Sequence, residues 1–285
     1  MSTTAVGPAL VVNGPLPVAP PYALLSIPGV RVGDGDDRWM SGVSVYGYPV
    51  DTPSTWEPCS TGTFRTKAEG GDQPVPRFDP FAAYEPITCS AIGMGDWREF
   101  AERAEIVLDA TQSFPVEHAI SQGVAGSTNP FFGDGNLVAL GGGAVTPEVG
   151  LSYLEQAIGE TGRMGMIHAP PAVVAAWGFG AGLRIGSLNN PPSGVLRSPN
   201  GNPIAAGGGY IGADPVSEAS PAAGQSWVFA TGPVQVYIGE TELSGDDING
   251  TLDTSNNDVT FRAERYAVAT WDTALQVGVL VDWTP

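Results

Sequence analysis

The sequence predicts an α+β fold, with helices and strands mixed but not regularly alternating. Two amphipathic helices are readable, over 96–111 and 147–158, and the final thirty residues read as β-branched strands ending at Trp283. The stretches between them follow no strand-helix-strand rhythm, so a doubly wound sheet fits less well.

Residues 1–38 are rich in proline up to Pro28 and carry apolar residues without helical period. Such a segment is stiff and extended. It needs a surface to lie on, either its own domain or, the sharper reading, a neighbouring subunit. Residues 39–92 read as a long hairpin with an exposed tip. "SGVSVYGYPV" alternates Val43 and Val45 with small polar residues, and "TGTFRTKAEGGDQPVPRF" breaks at Gly70-Gly71.

The first helix is "GDWREFAERAEIVLDA". Asp96 is a cap with Glu99 three residues on. Trp97, Phe100, Ala101, Ala104, Val107, Leu108 and Thr111 recur at three- and four-residue steps as one apolar stripe. Glu99 and Arg103 pair on the other face. Pro115 stops or kinks the helix, and "PVEHAISQG" adds two turns before Gly123.

A glycine-rich connection, "GSTNPFFGDGNLVALGGG", leads to the second helix. Thr146 is its cap, Pro147 its first residue, and Glu148 sits at the positive end of the dipole. Leu151, Leu154, Ala157 and Ile158 form its stripe, and Gly159 and Gly162 close it. "RMGMIHAPPAVVAAWG" reads as a strand running into a helix begun at Pro170-Pro171, and 183–226 as short strands and turns. "WVFATGPVQVYIGE" reads as a hairpin turning at Thr231-Gly232-Pro233, followed by a wet acidic loop over 244–258. Val259, Phe261 and Ala263 then alternate with Thr260, Arg262 and Glu264, and Val277, Val279 and Val281 run into Trp283.

Composition narrows the function. Thirty acids against twelve bases give a net charge of −18, a field that repels phosphate and anionic lipid. The proline-broken N-terminus has no basic region and reads as neither signal peptide nor membrane span. Cys59 and Cys89 form no C-x-x-C pair; two reduced thiols is the favoured reading and a mutual disulfide the alternative.

The census of chemical groups is sparse. His118 and His168 are the two histidines, read as structural, and no zinc-protease or G-x-S-x-G signature is present. "GFGAGL" at Gly178–Leu183 is a broken dinucleotide fingerprint on a helix rather than after a strand. Acidic turns at Gly33–Asp37, Gly133–Asn136 and Asp246–Asp253 lack the calcium-loop register and read as solvated. No carboxylate pair stands out for glycoside hydrolysis. No catalytic, metal or cofactor residue is assigned.

Four ordered blocks carry a resemblance. "GRMGMIHAPPAVVAAW", "SPNGNPIAAGGGYIGADP", "WVFATGPVQVYIGE" and "NDVTFRAERYAVATWDTALQVGVLVDW" resemble, in that order, the second half of bacteriophage major capsid proteins of the Hong Kong 97 type, a fold shared with encapsulin shells. The resemblance runs from about Trp97 to the C-terminus. It implies an extended N-terminal arm over 1–38, an E-loop hairpin over 39–94, and a spine helix with the first part of the peripheral domain over 95–135. An axial domain over 136–226 and the rest of the peripheral domain over 227–285, with a P-loop at 244–258, complete it.

The implied function is a major capsid protein that assembles as hexamers and pentamers into an icosahedral phage head around double-stranded DNA. The implied partners are the chain itself, a portal, and separate scaffolding or decoration proteins, since no charged helical segment precedes the arm. The packaged DNA would be enclosed but not specifically bound. The implied location is the virion, assembled in the host cytoplasm, with no membrane. Some relatives weld subunits by an isopeptide bond between an E-loop lysine and a P-loop asparagine. The matching residues are Lys67, the one lysine of the chain, and Asn249, Asn256 or Asn257; a solvated lysine is the plainer reading. The alternatives are an encapsulin-like compartment and a secreted, acid-tolerant hydrolase.

Overall fold

The structure, a computed structural model, describes residues 15–32, 37–47, 75–90, 97–180, 184–185, 195–211, 214, 221–244, 252–253, 255–256 and 258–284. Two 3₁₀ turns, Leu24–Ser26 and Asp37–Ser41, precede β1 (Val43–Ser44), β2 (Arg77–Phe78) and β3 (Phe81–Ser90). Helices α1 (Trp97–Thr111) and α2 (Ser113–Gln122) follow, then β4 (Val138–Val145), α3 (Pro147–Glu160), β5 (Met166–Ala169) and α4 (Pro171–Gly180). Next come β6 (Arg184–Ile185), β7 (Leu196–Arg197), β8 (Ile204–Ala206), β9 (Gln225–Thr231) and β10 (Val234–Ile238). The last strands are β11 (Glu242–Ser244), β12 (Leu252–Asp253), β13 (Asp258–Trp271) and β14 (Gln276–Asp282).

Two five-stranded sheets organise the molecule. In the first, β13 is the backbone: β10, β11 and β12 pair with successive stretches of it and β3 pairs with it from Ala267 to Asp258. The second runs β4-β14-β9-β5-β8, with β4 parallel to β14 and β5 parallel to β8. The alternation in β13 has its expected cause. Val259, Phe261 and Ala263 are buried while Thr260, Arg262 and Glu264 are not, and α1 lays Ala104 and Leu108 against Ala83 and Ala263.

Helix α3 turns Leu151, Leu154 and Ile158 onto the second sheet, where they meet Ile167, Val228, Val279 and Val281. A β-carbon on Gly150 would stand 2.6 Å from Val281 Cγ2, so this glycine lets the helix sit close. Trp177, fully buried on α4, donates its indole N–H to the Pro147 carbonyl at 2.8 Å and ties α4 to the start of α3.

Several local expectations change in the structure. Strands β9 and β10 do not form a hairpin. They are consecutive halves of one bent strand, antiparallel to β14 and then β13, from Gln225↔Asp282 through Thr231↔Gln276 to Val234↔Trp271 and Ile238↔Ala267. The bend falls where Gly232-Pro233 face the Asp272–Leu275 connection; Pro233 has no N–H to extend the β9 ladder, so the ribbon passes from one sheet to the other. Residues 81–90 likewise belong to the first sheet and not to the hairpin of 39–92, whose described stem is Val43–Ser44 against Arg77–Phe78. The glycine-rich stretch read as a connection contains β4, where pairing to β14 overrides the weak β preference of glycine. Thr111, placed on the apolar stripe, is exposed and donates its hydroxyl to the Val107 carbonyl. Thr146 occupies the cap position of α3 without a side-chain capping bond, and Asp96 lies outside the described residues.

The N-terminal segment is the largest departure. Ala23, Leu24, Ile27 and Val30 are buried in the protein's own body. Tyr22 O accepts from Ala206 N at 2.8 Å on β8, while Val30 O and Val32 N bond Val236 on β10 at 2.8 and 2.9 Å. The root of the predicted arm thus covers an edge of each sheet.

Candidate functional site

The described residues divide between buried polar clusters that hold the body together and exposed apolar surface. At the centre lies His168, fully buried on β5, with Nδ1 3.0 Å from Tyr210 Oη and Nε2 3.0 Å from Thr231 Oγ1. Thr231 Oγ1 donates to the Gly232 carbonyl at 2.8 Å, so it accepts from His168 Nε2–H, and Tyr210 donates to Nδ1. Burial holds the imidazole neutral, with its pKa lowered to about 3, and pushes the Tyr210 phenol up. Both ring nitrogens are engaged and no face meets solvent, so His168 has no position from which to exchange a proton with a substrate. The expectation of a structural histidine holds here. His118 is exposed on α2.

Two buried carboxylates were not legible in the sequence. Glu117 on α2 accepts from Leu24 N at 2.8 Å and Gly209 N at 3.0 Å. Burial raises its pKa to about 7 against the opposing pull of those two donors. Glu155 on α3 accepts from Asn202 Nδ2 at 3.1 Å, and Asn202 Oδ1 accepts from Gly165 N at 3.2 Å. Each carboxylate braces its own junction. A run of glycines, Gly207–Gly209, was the one available signal for Glu117.

Arg265, on β13, reaches across to the α1–α2 junction. Its guanidinium bonds Gln112 Oε1 at 2.7 Å and Thr241 Oγ1, and it pairs with Asp109 Oδ1 at 2.9 Å. Among the described residues no group of three His, Cys, Asp or Glu side chains is placed to hold a metal ion, and no helix is long and apolar enough to cross a membrane.

The exposed surface has a different character. Leu16 and Val18 are 72% and 85% exposed, and Pro15, Leu16 and Pro17 line a groove with Glu99, Arg103 and Val107 of α1. Tyr46 is 80% exposed at the root of the β1–β2 ribbon. It borders a cleft of about 430 Å³ with Met164, Pro233, Trp271 and Leu275, at the bend between the sheets. Of the predicted contact residues, Asn256 is described: it is exposed and donates Nδ2 to Asp253 Oδ2 at 3.0 Å. Lys67, Asn249 and Asn257 lie outside the described residues, as does Cys59; of Cys89 the backbone alone is described, opposite Val259.

No protein-family model matches the chain, and no curated protein matches it in sequence. Solved structures do. The chain is similar to the capsid of an empty GTA particle, with a TM-score of 0.53 at 13% identity, covering 98% of this chain and 96% of that one. The capsid of the native GTA particle matches at TM-score 0.51 and 12% identity, over 99% and 96%. A chain from the assembly of phage G major capsid and decoration proteins matches at TM-score 0.51 and 9% identity, over 99% of both chains. These likenesses run from end to end, and they give the molecule a Hong Kong 97-like capsid fold.

Proposed function

We propose that the chain is the major shell subunit of a bacteriophage-type head. It assembles with itself as hexamers and pentamers into an icosahedral capsid around double-stranded DNA. The observation that carries this reading is the fold, which matches shell proteins over nearly the full length of both partners. The parts then take their roles. The stretch ahead of Tyr22 acts as the arm, the ribbon whose stem is Val43–Ser44 against Arg77–Phe78 as the E-loop, and α1 with the first sheet, β3 included, as the peripheral domain. The second sheet, with α3 and α4 and including β9 and β14, forms the axial domain, and the loop over 244–258 is the segment that would meet neighbouring capsomers.

The physics of a shell suits these residues. Many modest contacts, closed by symmetry, give a stable container without any one tight patch. Exposed Leu16, Val18 and Tyr46 are apolar surface that a neighbour can cover. A chain with a charge of −18 leaves packaged DNA mobile. The subunit works by contact and not by catalysis, in the virion, with a portal and separate scaffolding or decoration proteins as its partners.

The test is the content of assembled particles. Cryo-electron microscopy of particles from infected or expressing cells is expected to show five- and six-fold capsomers enclosing nuclease-protected DNA. Particles filled with one folded protein cargo would instead make the chain an encapsulin-like compartment. For the welding residues, denaturing electrophoresis decides: a ladder of multimers lost on Lys67→Arg supports an isopeptide bond to Asn249, Asn256 or Asn257. A single band near 29 kDa ends that idea.

A further inference from the structure

We propose that Glu117 is a proton-operated clasp that sets how firmly residues 22–32 are docked on the body of the protein. Three separate pieces of chain meet at its carboxylate. Glu117 is 1% exposed on α2, Leu24 N–H reaches Oε1 from the N-terminal segment, and Gly209 N–H reaches Oε2 from the turn after β8. The turn is built around the carboxylate: a β-carbon on Gly207 would lie 1.9 Å from both of its oxygens. The docked segment is otherwise held by buried apolar side chains, by main-chain bonds to Ala206 and Val236, and by Leu25 N–H donating to Ser113 Oγ at 3.4 Å. In that set Glu117 is the group that titrates. A small cleft of about 230 Å³, lined by Pro17, Val18, Pro20, Phe114, Glu117 and Gly208, brings solvent protons to it.

The direction follows from the carboxyl's two environments. Docked, burial raises its pKa to about 7; released into water, it returns toward its ordinary 4.5. The docked state therefore binds the proton more tightly. Docking is firmest in acid and loosens as pH rises through about 7. The surrounding ionisable groups leave this sign unchanged. Tyr210, across the turn, stays neutral because burial and the Glu117 charge push its ionisation up. Asp109 and Arg265 are paired with each other between α1 and β13. Tyr22 and Arg31 lie on the docked segment itself, and His118 is exposed on α2.

Hydrogen exchange of amides 23–32 in the full chain, corrected for the intrinsic pH dependence of exchange, tests the clasp. Protection of the wild type is expected to fall about thirtyfold between pH 5.5 and 8.5, from the shift between 4.5 and about 7. Glu117→Gln is expected to hold protection constant within about threefold over that range, and His118→Gln to keep the wild-type profile. Wild-type protection that is equal at both pH values overturns the proposal, even if Glu117→Gln fails to fold. So does a pH response that survives in Glu117→Gln or disappears in His118→Gln.

Discussion

Gly209 and Phe114 approach so closely that a β-carbon on Gly209 would stand 2.3 Å from the Phe114 carbonyl oxygen. That oxygen belongs to the backbone of α2 and cannot swing aside. The turn after β8 is therefore fitted against the helix as well as around the Glu117 carboxylate. Gly209→Ala is expected to destabilise the chain by about 3 kcal/mol, the cost of overpacking with displaced backbone. At Gly142, in β4, a β-carbon would meet nothing within 4 Å, and Gly142→Ala is expected to change stability by less than about 0.5 kcal/mol. Urea unfolding of the two variants checks the contrast.

Glu117 and His168 oppose each other in the pH dependence of stability. Glu117 has a raised pKa when folded, so its contribution is present below its ordinary 4.5 and is lost as pH rises toward about 7. His168 has a lowered one, so its contribution is present above its ordinary 6.5 and is lost as pH falls toward about 3. Between pH 4.5 and 6.5 the two slopes cancel. Relative to the wild type, Glu117→Gln is expected to gain stability with rising pH by about 1.4 kcal/mol per unit, and His168→Gln to lose as much. Urea unfolding at half-unit steps measures both slopes, and variant curves parallel to the wild type would contradict the assignment.

Arg265 is expected to be intolerant of lysine. A single ammonium cannot reproduce the guanidinium's simultaneous bonds to Gln112, Thr241 and Asp109. Arg265→Lys is expected to lose about 2 kcal/mol. Asp109→Asn, at a partly exposed end of the ion pair, is expected to lose less than about 1 kcal/mol. Thermal unfolding of the two variants ranks them.

Leu16 and Val18 separate folding from assembly. Both side chains are largely exposed in the single chain, so the double variant Leu16→Ser, Val18→Ser is expected to unfold within about 0.5 kcal/mol of the wild type. If a neighbour covers them in the shell, the same variant needs roughly tenfold more protein to form particles, because each lost contact repeats around the closed surface. Light scattering against concentration reads this out.

Much of the framework was legible because local pattern and burial agree. The β13 alternation of Val259, Phe261 and Ala263, the stripe of α3 after Pro147, and the break between α1 and α2 near Pro115 all follow from periodicity and backbone chemistry. Pairing was harder. Val234 to Ile238 reads as the second half of a hairpin, and nothing in its sequence says that its partner is the stretch Ala267 to Trp271 of β13. The buried Glu117 looks like any solvent-facing acid beside His118; its role appears only when Leu24 and Gly209 arrive from distant chain. The N-terminal segment lacked helical period because Leu24, Ile27 and Val30 reach their core through turns and edge bonds.

Sedimentation velocity of the purified full-length chain, across a wide concentration range, addresses the central idea that this surface is made to tile with copies of itself. The expected result is a concentration-dependent distribution of capsomers or closed particles in place of a 29.4 kDa monomer. A single monomeric boundary at every concentration, in conditions where the chain is folded and both scaffolding and crowding agents have been tried, would contradict it.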